Sequence, residues 1–244
     1  MSAAGVPAEQ GGHLMPLPRL LVILSVTTGL VDATSVIGLG KVFTANMTGN
    51  VVFLGLALAG TPGFHVDTCI VAVLAFLVGA AIAGRVGRVA AAWPLGRRLM
   101  LAAGCETALL WLAAWTAAGW RAVGDAPDGR MLAIVALTAL AMGWRNGTVR
   151  TLGVADLTTT VLTLGLTGLA ADSRLAGGAA PNRGRRIAGV LAIFAGALAG
   201  ALAIGKFGLS LPLVAAGAIG LAATILCALE APSPPQAEPA AGAS

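Results

Sequence analysis

Apolar residues in this chain come in long runs and do not alternate with polar ones. Eight runs stand out, at about 20–39, 44–61, 67–90, 98–119, 131–150, 155–171, 187–205 and 209–229. A helix needs about 20 apolar residues to cross the hydrocarbon core of a bilayer. Six runs meet that length, while the second and sixth fall short and open on polar residues. A transmembrane β-barrel would instead alternate polar and apolar positions over segments of about 10 residues. The pattern therefore predicts an all-α polytopic membrane bundle. It forms a single transmembrane domain over 18–230, flanked by a short N-terminal tail, 1–17, and a Pro/Ala-rich disordered tail, 231–244. The first tail lacks a basic n-region and a cleavage site, so it reads as a tail and not as a signal peptide.

The two short runs resemble each other. Asn46-Met47-Thr48-Gly49-Asn50-Val51-Val52-Phe53-Leu54-Gly55-Leu56 aligns without a gap on Asp156-Leu157-Thr158-Thr159-Thr160-Val161-Leu162-Thr163-Leu164-Gly165-Leu166. The runs before them share a Gly followed by a polar break, Gly29 to Asp32 and Gly143 to Asn146. The runs after them share Gly/Ala-rich cores, Gly79 to Gly84 and Gly196 to Gly200. Two homologous halves follow, near 18–120 and 130–230.

Arginine sets the expected topology. One connector carries Arg85, Arg88, Arg97 and Arg98, and another carries Arg174, Arg183, Arg185 and Arg186. Basic connectors stay in the cytoplasm. If the fourth, fifth and sixth runs all crossed, these connectors would lie on opposite sides. The conflict disappears if the second and sixth runs are short or re-entrant. That leaves six full spans, inverted repeats and both termini in the cytoplasm. Broken helices in inverted repeats are a recurring transporter plan. Eight full spans, with the charge rule violated, is the alternative.

Composition agrees. The chain is 57% hydrophobic and 10% charged, against roughly 25% charged in soluble domains. That excludes a water-soluble globule, and the high hydrophobicity excludes a disordered chain. The net charge of +5 lies in connectors and lacks an aromatic-basic patch, so nucleic acid is not an expected partner. Cys69, Cys105 and Cys227 sit inside apolar runs without CxxC spacing, and His13 and His65 stand outside them, so no metal or other cofactor is expected.

An ionisable group at membrane depth is a functional candidate by default. Asp32 and Arg145 occupy nearly matching places in the two halves, and a pair between them would relieve the desolvation cost of both. Glu106 has no basic neighbour in sequence, which leaves a hydrogen-bonded helix contact, favoured here, beside a protonated buried group, a cavity wall or a proton carrier. Asn46 and Asp156 open the short runs, where each is placed to cap a helix N-terminus. Asn46 and Asn50 share one helix face; Asp156, Thr160, Thr163 and Thr167 share another. Such stripes suit a pore or cavity lining, although interhelical hydrogen bonds use the same residues.

Gly29-Leu30-Val31-Asp32-Ala33 and Phe43-Thr44-Ala45-Asn46-Met47-Thr48-Gly49-Asn50 resemble the signature of the YoaK family of bacterial integral membrane proteins, a domain-of-unknown-function group. Gly143 to Asp172 is similar to the same family, and the resemblance covers about 18–230. One departure is Arg145, where the resemblance implies Gln before the Asn. It also implies a multi-pass protein of the bacterial inner membrane and names no substrate.

The reading is a secondary transporter or channel for a small solute or ion. Its substrate-binding candidates are Asp32, Asn46, Thr48, Asn50, Glu106, Arg145, Asn146, Asp156, Thr158 and Thr160. The chain lacks a GxxxxGK[ST] loop, so it would not drive transport with ATP alone. It also lacks GxSxG and HExxH, so a lipid-acting enzyme is disfavoured and no catalytic residue is named. A non-transporting structural or regulatory protein is the other alternative. The expected partners are the lipid bilayer and the solute; the GxxxG at Gly196 and Gly200 reads first as a close helix-packing face, with a homo-oligomer as the lesser option.

Overall fold

The computed structural model describes residues 16–120, 126–152, 159–178 and 183–230. These form eight α-helices: α1 (Pro16–Gly38), α2 (Met47–Leu58), α3 (Val66–Val89), α4 (Leu95–Ala117), α5 (Gly129–Thr151), α6 (Thr159–Ala171), α7 (Arg183–Phe207) and α8 (Ser210–Glu230). A 3₁₀ turn at Arg174–Ala176 follows α6. Six helices are long and apolar enough to cross a membrane: α1, α3, α4, α5, α7 and α8. At 1.5 Å per residue, the 12 residues of α2 and the 13 of α6 fall well short of the hydrocarbon core. Several hydroxyls inside the spans are satisfied within their own helices, while Thr107 of α4 donates across to the Gly217 carbonyl of α8. Ser25, Thr34, Thr138 and Thr224 each donate to the carbonyl four residues back, which keeps polar groups tolerable in lipid.

Glycines set the helix crossings. A Cβ on Gly29 would collide with the Ile193 carbonyl, and one on Gly196 with the Val26 carbonyl, so α1 and α7 touch backbone to backbone. In the other half, Gly143 meets the Phe76 carbonyl and Gly79 meets the Leu140 carbonyl, joining α5 to α3. Small residues let helices approach closely where hydrophobicity cannot drive association. Ala83 and not Gly84 completes the α3 face: Ala83 is buried against Gly147, whereas Gly84 has only the Arg88 side chain near it.

The same contacts fix direction. Along α1 and α7, Val26 lies at Gly196, Leu30 at Gly200 and Gly38 at Leu209, so these helices are parallel. Along α3 and α5, Gly79 lies at Leu140, Gly147 at Ala80 and Gly87 at Thr151, so these are parallel too. The starts of α1 and α4 and the ends of α5 and α8 meet in one cluster of Leu20, Leu99, Leu152, Ala223 and Cys227. Both arginine-bearing connectors therefore lie at one end of the bundle. Helix α6 leaves and returns at that basic end, and α2 does so at the opposite end. The first half begins at the basic end and the second at the other, which makes the repeats inverted.

The pairings obey the same two-fold relation. Helix α1 packs on α7 as α5 packs on α3; α1 packs on α8 as α5 packs on α4; α2 lies on α3 as α6 lies on α7; and α4 faces α8 across the axis. The central core holds Leu30, Val31, Leu110, Ile134, Val135, Met142 and Leu213. Large apolar side chains point outward on the peripheral helices, including Leu74, Leu77 and Ile82 of α3 and Leu191, Phe194 and Leu198 of α7. Large apolar groups toward lipid, with small residues where α1 crosses α7 and α3 crosses α5, suit a bundle packed in lipid.

Candidate functional site

Two polar centres lie inside the bundle. The first is an ion pair between α4 and α5. Arg145 Nε donates to Glu106 Oε2 at 2.8 Å, and Arg145 Nη2 donates to Glu106 Oε1. Both side chains are 7% exposed. The remaining guanidinium nitrogen, Nη1, donates to the Leu24 carbonyl and to Thr28 Oγ1, each at 3.1 Å. The fork matches a carboxylate in two parallel bonds, and α1 holds its far side. Breaking such a pair by removing one partner leaves a buried, uncompensated charge.

The pair lines a cleft that runs from it toward the basic end and holds about 460 Å³ of empty space, its open mouth included. Leu20, Leu21 and Leu24 of α1, Leu99, Ala102 and Ala103 on one face of α4, Thr148, Val149 and Leu152 of α5 and Thr224 of α8 contribute the rest of the wall. Glu106 and Arg145 are the deepest wall residues of their helices. Gly220 of α8 faces them: a Cβ there would stand 3.5 Å from Glu106 Oε1 and 3.9 Å from Arg145 Nη2. A second cleft of about 300 Å³ adjoins between α3, α4 and α5 and shares Ala102 and Thr148.

The second centre anchors α2 at the opposite end. Asp32 Oδ1 accepts from the backbone N–H groups of Thr44 and Ala45 at 3.3 and 3.0 Å. Asn50 is fully buried. Its Oδ1 accepts from Phe43 N at 2.8 Å and its Nδ2 donates to the Phe43 carbonyl at 2.5 Å. A Cβ on Gly49 would strike the Phe43 ring. That ring stacks on Phe53, which meets Phe64. Thr44 Oγ1 is buried without a hydrogen-bond partner.

Several expectations change. Asp32 and Arg145 do not pair, because inverted repeats put equivalent positions on opposite sides of the bundle's middle. Arg145 lies toward the basic end and meets Glu106; Asp32 lies toward the other end and meets backbone. Asn46 precedes α2 but makes no side-chain cap bond. Asn50 is no cavity lining, since both ends of its amide serve Phe43, and Thr48 is exposed. Asn146 donates back to the Met142 carbonyl at 2.8 Å. Thr163 and Thr167 are exposed on α6. Asp156 and Thr158 lie outside the described residues, and the side chain of Thr160 does so as well. Among the described candidates, Glu106 and Arg145 come together at a cavity and the others do not. Thr28 and the Leu24 carbonyl complete that site, and nothing in the sequence around them marks it. Among the described residues no group of His, Cys, Asp or Glu could hold a metal ion.

Comparison with known proteins agrees with the membrane architecture. No solved structure matches the chain. The UPF0700 transmembrane protein YoaK of Bacillus subtilis (strain 168) is 34% identical over 155 residues. That stretch covers 63% of this chain and 65% of the relative. A family model described as a protein of unknown function (DUF1275) matches residues 20–226. The match takes in all six long helices, and the chain belongs to the DUF1275 family of multi-pass membrane proteins.

Proposed function

We propose that this protein is a secondary transporter for a small solute in the bacterial cytoplasmic membrane. Its site is the cavity above Glu106 and Arg145. The observation that carries the reading is a buried ion pair at the deep end of a cavity inside a two-fold, inverted helix bundle. A buried pair contributes little to stability against a well-packed apolar alternative, so its presence calls for a functional reason. Inverted repeats supply the rest: two similar halves can rock about a site near the middle and open it to either side in turn. By the positive-inside rule the basic end faces the cytoplasm, so the cavity belongs to an inward-open form with both termini inside. The start of α2, expected to line the site, gives way to the pair. Asp32, Asn50 and Gly49 serve to seat α2.

Reconstitution into liposomes tests this. Solutes loaded inside are expected to exchange with labelled solute outside only in vesicles that carry the protein. Ala102→Leu fills the cavity without touching the ion pair, and it should stop exchange while leaving the melting temperature in detergent close to the wild type's. The idea is lost if protein-bearing vesicles are as tight as empty ones to every solute, or if the filled variant exchanges as fast as the wild type.

A further inference from the structure

We infer that the solute is an amphiphilic monoanion, an apolar body ending in a carboxylate, bound together with one proton that Glu106 takes. This rests on the transport reading for the site and gives it a substrate class. The cleft in front of the pair holds about 460 Å³ of empty space, its open mouth included. Leucine, valine and alanine side chains form most of its wall, which suits an apolar body. Glu106 and Arg145 are its charged groups, and they are not equivalent. Arginine stays protonated under all physiological conditions, whereas a glutamate can be neutralised.

That asymmetry selects the sign of the ligand. A cation attracted to Glu106 would leave Arg145 buried and uncompensated. An anion can take the place of Glu106 on the guanidinium, because a carboxylate offers the same two-oxygen fork to Nε and Nη2. The displaced Glu106 carboxylate would then be the uncompensated charge, unless it takes a proton. The exchange balances. Glu106 carboxylate gains H⁺ and becomes the acid; the incoming carboxylate pairs with Arg145; the site is neutral before and after. On release the proton leaves Glu106 and the original pair closes. Arg145 stays in place throughout, since Nη1 is held by the Leu24 carbonyl and Thr28 Oγ1. Gly220 leaves room beside Glu106 for its side chain to turn.

The surroundings of Glu106 add no competing proton acceptor. From α5 it faces Arg145, from α1 Leu24 and the uncharged Thr28, from α8 Gly220 and Thr224, and on α4 its neighbour is the half-buried Cys105. Asp32 on α1 lies within electrostatic reach of Arg145 but is fastened to the Thr44 and Ala45 N–H groups.

The test uses the purified full chain in detergent with octanoate and benzoate as probes, and benzyl alcohol and benzylamine as neutral and cationic controls. The carboxylates should bind and the controls should not. In weakly buffered solution with a pH indicator, binding should take up one proton per carboxylate. The dissociation constant should rise with pH, by at most about tenfold per unit. Glu106→Gln should bind carboxylate without proton uptake and without that pH dependence. The proton measurement needs only the wild type, so it decides even if the variant fails to fold. Carboxylate binding without proton uptake, binding of the controls as tight as the acids, or no binding of either acid would each overturn the inference. The two readings separate cleanly. Carboxylate binding with proton uptake but no vesicle exchange would sink transport and keep the ligand class. Exchange of benzylamine or benzyl alcohol in place of the acids would do the reverse.

Discussion

Asn50 shows how one side chain can be decisive without touching a ligand. It is fully buried, and its amide satisfies both the N–H and the carbonyl of Phe43. A backbone segment near the membrane has few other partners, and each unsatisfied buried group costs about 1–3 kcal/mol. Asn50→Ala orphans both groups, so the expected loss of stability is about 2–4 kcal/mol. Thr48→Ala, two positions away and exposed, should change it by less than about 0.5 kcal/mol. Thermal melting of the purified variants in one detergent compares them, and equal melting temperatures would refute the anchoring role. The sequence marks Asn46, Gly49 and Asn50 as unusual in an apolar run but cannot say why. A buried amide bonded to a backbone seven residues away and an amide lining a pore are the same letters. Glu106 raises the same difficulty at longer range, because its partner lies 39 residues further along.

At the level of helices, two kinds of glycine need separating. Gly143 sits where α5 crosses α3 and its Cβ would run into the Phe76 backbone, which cannot yield as a side chain can. Gly143→Ala should destabilise by about 1–3 kcal/mol through overpacking. Gly104 on α4 has nothing near it, so Gly104→Ala should leave the protein unchanged or raise its stability by up to about 1 kcal/mol, the difference in helix propensity. Detergent melting again decides, and a loss at Gly104 equal to that at Gly143 would remove the argument. The start of α5 carries a pH-sensitive contact. Asp128 Oδ1 accepts from Met131 N at 2.6 Å as an N-cap, and Oδ2 accepts from Trp120 Nε1 at 2.9 Å. The indole N–H, followed by the Met131 N–H, holds the Asp128 carboxyl below its usual range. A group lowered on folding stabilises above its unfolded value, near 3.9, and that stabilisation is lost as pH falls through the folded value. Asp128→Asn can still cap but cannot titrate. The wild type should therefore melt above the variant at neutral pH, and the gap should close in strongly acidic buffer. A gap that stays constant through the acid range would show that the carboxylate's charge contributes nothing.

Across the whole molecule, the common end of the two arginine clusters was legible in the sequence where depth was not. Arginine clusters carry topological information in their parity: with both at one end, an even number of crossings must separate them. That favoured a short α6 over eight full spans, and the parallel registers of α1 with α7 and of α3 with α5 require the same parity. Which buried charges meet was not legible, because it depends on how far each lies from the middle, and inversion sets Asp32 and Arg145 on opposite sides of it. The topology makes a direct prediction. On a background in which Cys69, Cys105 and Cys227 are replaced by Ser or Ala, single cysteines are placed at Ala92, Gly177, Gly63 and Gly119. Ala92 joins α3 to α4, and Gly177 lies between α6 and α7. Both should react with a membrane-impermeant thiol reagent only after the membrane is opened. Gly63 joins α2 to α3, and Gly119 follows α4; both should react in intact cells. If Ala92 and Gly177 label from opposite sides, α6 crosses the membrane and the eight-span alternative returns. The cavity would then lose the inverted two-fold relation on which alternating access depends. If they label together and opposite to Gly63 and Gly119, the basic end is cytoplasmic and Glu106 and Arg145 stand at the floor of an inward-facing cavity.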